Sequence, residues 1–144
     1  ILDLSLTLEY LETHGVPVLG YKTKELPAFY TRKSGFELDY NIQSAEEFAN
    51  ILNAKWSLGL NGGVVIANPI PEEYSMDYDV ITVAIENALI EAEEKNIRGK
   101  QATPFLLGKI KEITGGSSLD ANIALVFNNA KLASQIAIEL CKLG

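Results

Sequence analysis

The sequence predicts an α/β fold, with helices packed on a central, largely buried β-sheet. Three observations carry that prediction. Residues 16–21 and 64–67 are short, apolar and bounded by turn-forming residues, as strands covered on both faces are. Longer stretches between and after them repeat their apolar residues at helical spacing. Strands and helices interleave, as parallel pairing requires, and no repeat or linker divides residues 1–144.

Taken in order, Asp3 or Ser5 is placed to cap a first helix with Leu4, Leu8 and Leu11 on one face, and Gly15 to end it. The first strand follows at 16–21, then a polar and aromatic loop over 22–35 that includes Phe29 and Tyr30. Phe36, Leu38, Tyr40 and Ile42 alternate with Glu37, Asp39 and Asn41, which predicts a strand with one wet face. Ser44 and Glu47 have capping-box spacing, so a helix is expected over 45–58 with Phe48, Ile51, Leu52 and Trp56 inward.

Asn61-Gly62-Gly63 turns the chain into the strand at 64–67. Asn68-Pro69-Ile70-Pro71 then breaks regular structure, because each proline lacks a donor and restricts the residue before it. A long helix over 77–96 turns Val80, Ile81, Ala84, Ile85, Ala88, Leu89 and Ala92 inward. Thr103-Pro104 reads as an N-cap and first-turn proline for a helix running through Phe105, Leu106 and Ile110 to Gly115. Ser117 or Asp120 is placed to cap a last helix that runs to about residue 143.

The net charge of −7 argues against a nucleic-acid binder, because no basic stripe is present to meet a phosphate backbone. A phosphorylated small molecule remains compatible, since one local cluster of donors is enough to hold it. With one cysteine (Cys141) and one histidine (His14), an internal disulfide framework and a Cys/His zinc site are excluded. Low cysteine use and the lack of a visible signal sequence point to the cytoplasm. Apolar runs such as 64–67 fall far short of the ~20 residues of a membrane helix. The chain opens on Ile1 and runs straight into a helical pattern, which reads as a fragment, a processed product or the ordered part of something longer.

Three places have chemical potential. The first is Asn68-Pro69-Ile70-Pro71-Glu72-Glu73, a rigid loop directly after a buried strand, where α/β sheets bind ligands; it also reads as a stiff connection with an acidic end. The second is Thr114-Gly115-Gly116-Ser117-Ser118. Its N–H groups and hydroxyls lie at a helix N-terminus suited to an anion, but a C-cap followed at once by an N-cap explains it without a ligand. The third is the asparagine content of the last helix. Asn122 and Asn129 are seven positions apart on one stripe, where an amide either matches a base edge or ties neighbouring backbone together. Lys22, Lys24, Arg32 and Lys33 form a loose basic group that suits either a phosphate or solvent. His14 is placed to decorate a helix C-terminus. Spacing alone names no reaction.

Several blocks carry a resemblance. They are Ile1-Leu2-Asp3, then Thr7-Leu8-Glu9-Tyr10-Leu11-Glu12-Thr13 with Gly15-Val16-Pro17, and Pro27-Ala28-Phe29-Tyr30-Thr31-Arg32. There follow Asn61-Gly62-Gly63-Val64-Val65-Ile66-Ala67-Asn68-Pro69-Ile70-Pro71-Glu72 and Gly99-Lys100 with Thr103-Pro104-Phe105-Leu106-Leu107. The last are Thr114-Gly115-Gly116 and Asn122-Ile123-Ala124-Leu125-Val126-Phe127-Asn128-Asn129-Ala130. In these blocks, in their order, the chain resembles the pseudouridine-5′-phosphate glycosidase family along essentially its whole length.

The resemblance implies the C-terminal half of such an enzyme, the C-terminal portion of a larger domain. The implied reaction is reversible cleavage of pseudouridine 5′-phosphate to uracil and ribose 5-phosphate through a covalent lysine adduct. It also implies a glutamate general acid/base, a manganese ion (Mn2+) held by an aspartate, and a homotrimer. The nucleophilic lysine of the family lies just upstream of Ile1, and the acid and the metal ligand lie further upstream. No catalytic or metal-binding residue is therefore expected in this chain, and Lys22, Lys24 and Lys100 do not occupy the nucleophile's position. Asn122 matches a pocket asparagine expected to contact the substrate, while Asn129 is expected to be structural. The implied partners are the small-molecule substrate and the missing N-terminal half of the same protein. Two alternatives stand beside this reading: a C-glycosynthase joining ribose 5-phosphate to an aromatic aglycone, and a non-catalytic oligomerising fragment.

Overall fold

A computed structural model describes residues 3–144; Ile1 and Leu2, which open the first of the matching blocks, lie outside the described residues. Helix α1 (Leu4–Thr13) is capped by the Asp3 carboxylate, which accepts from the Leu6 amide at 3.0 Å, and Gly15 follows its end with φ +64°. Three parallel strands form the sheet: β1 (Val18–Tyr21), β2 (Tyr40–Ile42) and β3 (Val65–Ala67), in the order β2-β1-β3. Leu19 pairs with Tyr40 and with Ile66, so β1 is central. Helix α2 (Ala45–Ser57) carries the chain from β2 across β1 to β3.

The sheet is α/β in class as expected, but its burial is uneven. Leu19 and Gly20 of β1 are buried, whereas Tyr40 is exposed and Val65 and Ile66 are half-covered. The expected strand over Phe36–Ile42 shrinks to its last three residues. Upstream of it, Glu25 and Glu37 meet in an isolated bridge, and backbone bonds from Leu26 to Phe36 and from Leu38 to Lys24 fold 22–39 onto itself. Those donors and acceptors are satisfied inside the loop, so they never reach the sheet.

After β3, a single 3₁₀ turn (Glu72–Tyr74) leads into α3 (Tyr78–Glu94), which Asp77 caps through the amides of Asp79 and Val80. Its buried face is Ile81, Ala84, Ala88 and Ala92. Val80 and Leu89, expected inward, are 59% and 45% exposed, because the alanines let the next helix close on a narrower stripe. That helix, α4 (Ala102–Ile113), grows out of a 3₁₀ turn at Gly99–Gln101. Thr103 therefore sits inside the first turn and is not its cap. The last helix, α5 (Ser117–Cys141), starts from Gly116 in a left-handed conformation (φ +96°), and neither Ser117 nor Asp120 caps it.

Two apolar clusters result, and α5 runs through both. Ala121 and Leu125 join Tyr30, Ile70, Ile81, Ala88, Leu106 and Ile110; Leu132 and Ile136 join Leu19, Ile42, Phe48 and Leu52. Among the described residues, no helix is long and apolar enough to cross a membrane.

Candidate functional site

The loop after β3 lies where the two clusters meet. Pro69 and Ile70 are buried, and Ile70 is fully so. Each exposed backbone acceptor of this stretch is met by a side chain from elsewhere. The Arg32 guanidinium donates to the Ile70 carbonyl, and the Asn128 amide donates to the Pro69 carbonyl at 3.0 Å. The prolines leave few backbone donors here, so fixing the loop falls to these side chains. Arg32 is thereby withdrawn from the loose basic group, and Lys22 of that group lies over the Tyr21 ring.

Beside these contacts, Asn68 donates from Nδ2 to Asn129 Oδ1 at 3.0 Å. This amide pair stands between two hollows. One, of about 530 Å³, is lined by Phe29, Tyr30, Leu107 and Leu125 with Asn68 and Asn129. The other, of about 470 Å³, is lined by Phe48, Ile66, Leu132 and Ile136 with the same two asparagines. The volumes fall within the range of small-molecule sites, and the walls are mainly apolar with a few polar groups.

The first hollow has a second polar feature. Tyr30 is 3% exposed, within a tight turn closed by the Ala28 amide on the Thr31 carbonyl at 3.0 Å. Its own carbonyl accepts from the Met76 amide at 2.9 Å, which anchors the turn ahead of α3. Its hydroxyl has no hydrogen-bond partner among the described residues, yet no fully buried side-chain N or O atom among them lacks one. The small exposed part of Tyr30 is therefore at its hydroxyl, which opens to the hollow that the residue lines. Burial raises its pKa above the ordinary tyrosine value, so the group is a neutral donor. Phe29 beside it sits at φ +59° with its ring edge-on to Tyr30, 4.7 Å between centroids; this is a strained conformation for a bulky residue.

The other candidates are placed as follows. Asn122 is half-buried on α5, lines neither hollow, and makes no side-chain hydrogen bond among the described residues. At Thr114–Ser118 the groups suited to an anion are already engaged. The Ser117 hydroxyl donates to the Thr114 carbonyl, the Ser118 amide to the Thr114 hydroxyl, and the Leu119 amide to the Gly116 carbonyl. Asp120 adds a negative charge in the same turn. His14 ends α1 and packs on Tyr10, 4.4 Å between ring centroids. Among the described residues, no three His, Cys, Asp or Glu side chains are grouped to hold a metal ion.

Tyr30 and Asn128 escaped the sequence reading. Phe29 and Tyr30 were visible only as aromatics in a loop, and nothing local marks which of them turns inward. Asn128 had one available signal, the doubled Asn128-Asn129 in mid-helix, where amides are costly unless bonded.

The family model for Indigoidine synthase A like proteins matches residues 1–139. A pseudouridine-5′-phosphate glycosidase of Clostridium botulinum is 66% identical over all 144 residues, which are 47% of that relative's length. One of Escherichia coli K12 is 55% identical over the same 144 residues, 46% of its length. Among solved structures, the prealnumycin C-glycosynthase AlnA in complex with ribulose 5-phosphate superposes with a TM-score of 0.88 at 31% identity, over 99% of this chain and 47% of that one. An indigoidine synthase A-like protein of Thermotoga maritima gives 0.86 at 40% identity, over 97% and 46%. The chain thus spans about half the length of the relatives it matches. By its sequence and its fold, the chain belongs to the family of Indigoidine synthase A like proteins.

Proposed function

We propose that this chain is the C-terminal half of a pseudouridine-5′-phosphate glycosidase, which cleaves the C–C glycosidic bond reversibly to give uracil and ribose 5-phosphate. The observation that carries the proposal is the 66% identity, across every residue of the chain, to a protein of that name. In this reading the covalent chemistry belongs to the other half, with the lysine that forms the sugar adduct, the glutamate acid/base and the aspartate for manganese. The described residues offer no grouping for the metal, so none of them is assigned to it. When bound, the ion supplies positive charge beside the dianionic phosphate.

This chain's part is to hold and shield the substrate. Its apolar hollow excludes water from one side of the ligand, and the Pro69–Pro71 loop is rigid enough to keep that wall in place. Asn122, with its amide unengaged among the described residues, contacts the substrate. The whole protein is a homotrimer in the cytoplasm in this reading; the resemblance supports the former, and the exposed free thiol of Cys141 suits a reducing compartment.

The test is to incubate the full-length protein with pseudouridine 5′-phosphate and manganese and follow free uracil by chromatography. Release sustains the reading, and its absence overturns it. This chain alone should release none until the other half is supplied. The structural likeness to a C-glycosynthase gives a second reading, in which ribose 5-phosphate is joined to an aromatic aglycone. Offering uracil and a phenolic aglycone in competition separates the two. A folded oligomer inert toward both would leave the non-catalytic reading.

A further inference from the structure

The Asn68–Asn129 pair is a half-used recognition element. One amide hydrogen of Asn68 goes to Asn129 Oδ1, and neither side chain has another partner among the described residues. The carbonyl of Asn68 and the NH₂ of Asn129 are left over. If the amides were turned the other way, the pair would still leave one carbonyl and one NH₂. A lone acceptor next to a lone donor is the complement of a ring N–H beside a ring C=O, the lactam edge of an oxidised pyrimidine. Tyr30 adds a neutral hydroxyl in the same hollow, held by a residue 97% covered and lacking a protein partner. A buried donor of this kind is costly unless something accepts from it. The walls around these groups, Phe29, Leu107 and Leu125, are apolar, as the faces of a planar ring require.

We propose that this hollow is the pyrimidine subsite, in which Asn68 and Asn129 read a lactam edge of the ring and the Tyr30 hydroxyl donates to a ring carbonyl. The assignment rests on the glycosidase reading, and it concerns residues distinct from Asn122. Asn122 lies seven positions up α5, about 10 Å at the helical rise, so it meets another part of a nucleotide-sized ligand.

The experiment is equilibrium dialysis on the full-length protein with three probes: uracil, 1,3-dimethyluracil and ribose 5-phosphate. The dimethyl analogue keeps both carbonyls and loses both ring N–H groups. Wild type should prefer uracil over it by about tenfold or more, because its ring nitrogens cannot meet the Asn68 carbonyl. Tyr30→Phe and Asn129→Ala should each weaken uracil about tenfold and leave ribose 5-phosphate unchanged. Asn68→Ala should narrow the preference for uracil over the dimethyl analogue. Tyr30→Phe removes one oxygen and preserves the packing, so it reports even if an asparagine variant folds poorly.

Uracil affinity and discrimination that persist in all three variants would overturn the assignment. So would lowered melting temperatures with unchanged uracil binding, the result expected if the rest of the protein fills the hollow. A wild type that binds no uracil also overturns it. Binding is measured apart from turnover, so the two readings fail separately. Cleavage with variant-insensitive uracil binding sinks only the subsite, whereas uracil discrimination without cleavage sinks only the glycosidase.

Discussion

At Gly20 two backbone segments come so close that a side chain has no place. A Cβ there would stand 2.1 Å from the Thr23 carbonyl oxygen, and that oxygen belongs to backbone, which cannot rotate aside. Gly20→Ala should therefore push the start of the 22–39 loop away from β1 and destabilise the fold by about 1–3 kcal/mol, the usual cost of overpacking. Urea unfolding of the two forms checks this, and equal midpoints would mean that the loop yields freely. The sequence showed Gly20 only as one more small residue in an apolar run. Its clash partner lies in a loop whose path has no periodic signature, so the requirement appears only in three dimensions. Tyr30 and Asn128 were hidden for the same reason. Asn129, expected to be structural, does pair with Asn68, but that bond uses only part of the amide.

Helix boundaries show which signals survive folding. Ser44 accepts from the Glu47 amide at 3.1 Å, while the Glu47 carboxylate reaches the Gln43 amide at 2.7 Å, one residue outside the usual capping box. Ser44→Ala should cost about 0.5–2 kcal/mol, read as a lowered melting temperature, and Ser44→Asp should restore most of it. If Ser44→Ala melts with wild type, water satisfies that amide as well as the hydroxyl does. Caps written in one side chain were thus legible at Asp3, Ser44 and Asp77. Thr103 and Ser117 misled because each helix begins one or more residues earlier, from a 3₁₀ turn or a left-handed glycine, and backbone geometry replaces the side-chain cap.

Between elements, Glu91 of α3 binds Lys95 at 2.6 Å on its own helix and Lys109 of α4 at 2.9 Å. Hydrogen bonds from Lys95 and Lys109 lower the Glu91 pKa, and those from Glu91 and Glu112 raise that of Lys109. The carboxylate's contribution is complete above its unfolded-state pKa and fades as pH falls through the lowered folded value. The amine's is complete below its unfolded-state pKa and fades as pH rises through the raised one. Lys109→Met should therefore lower the melting temperature most near neutrality, with the gap to wild type closing in both acid and alkali. Both groups are largely hydrated, so the effect should be small and shrink further in high salt. A gap independent of pH would assign it to packing of the lysine stem instead.

Across the whole molecule, α5 is the element that makes two clusters into one structure. Its first half closes on α3 and α4, its second on the sheet and α2, and Asn128 and Asn129 hold the loop after β3 at the midpoint. The sequence made this helix legible as a long amphipathic stripe, and the alternation of elements made the α/β class legible. It did not show that the edges of the sheet stay half-covered, because an apolar strand reads alike whatever covers it. In a chain spanning 47% of a relative's length, Val65 and Ile66 of edge strand β3 are left half-covered. If α5 couples the clusters mechanically, damage to either should be felt in both. Leu125→Ala and Leu132→Ala each remove a buried side chain at a cost of about 2–5 kcal/mol. Either substitution should lower amide hydrogen-exchange protection in α2 and in α3 together, since these helices pack on opposite halves of α5. Loss confined to α3 for Leu125→Ala and to α2 for Leu132→Ala would instead make the clusters independent units, with α5 a passive strut. Coupling would also reach the candidate site, because the Asn68–Asn129 bond lies at that midpoint: a cavity made at Leu132 should weaken ligand binding in the hollow lined by Leu125, with no contact between them.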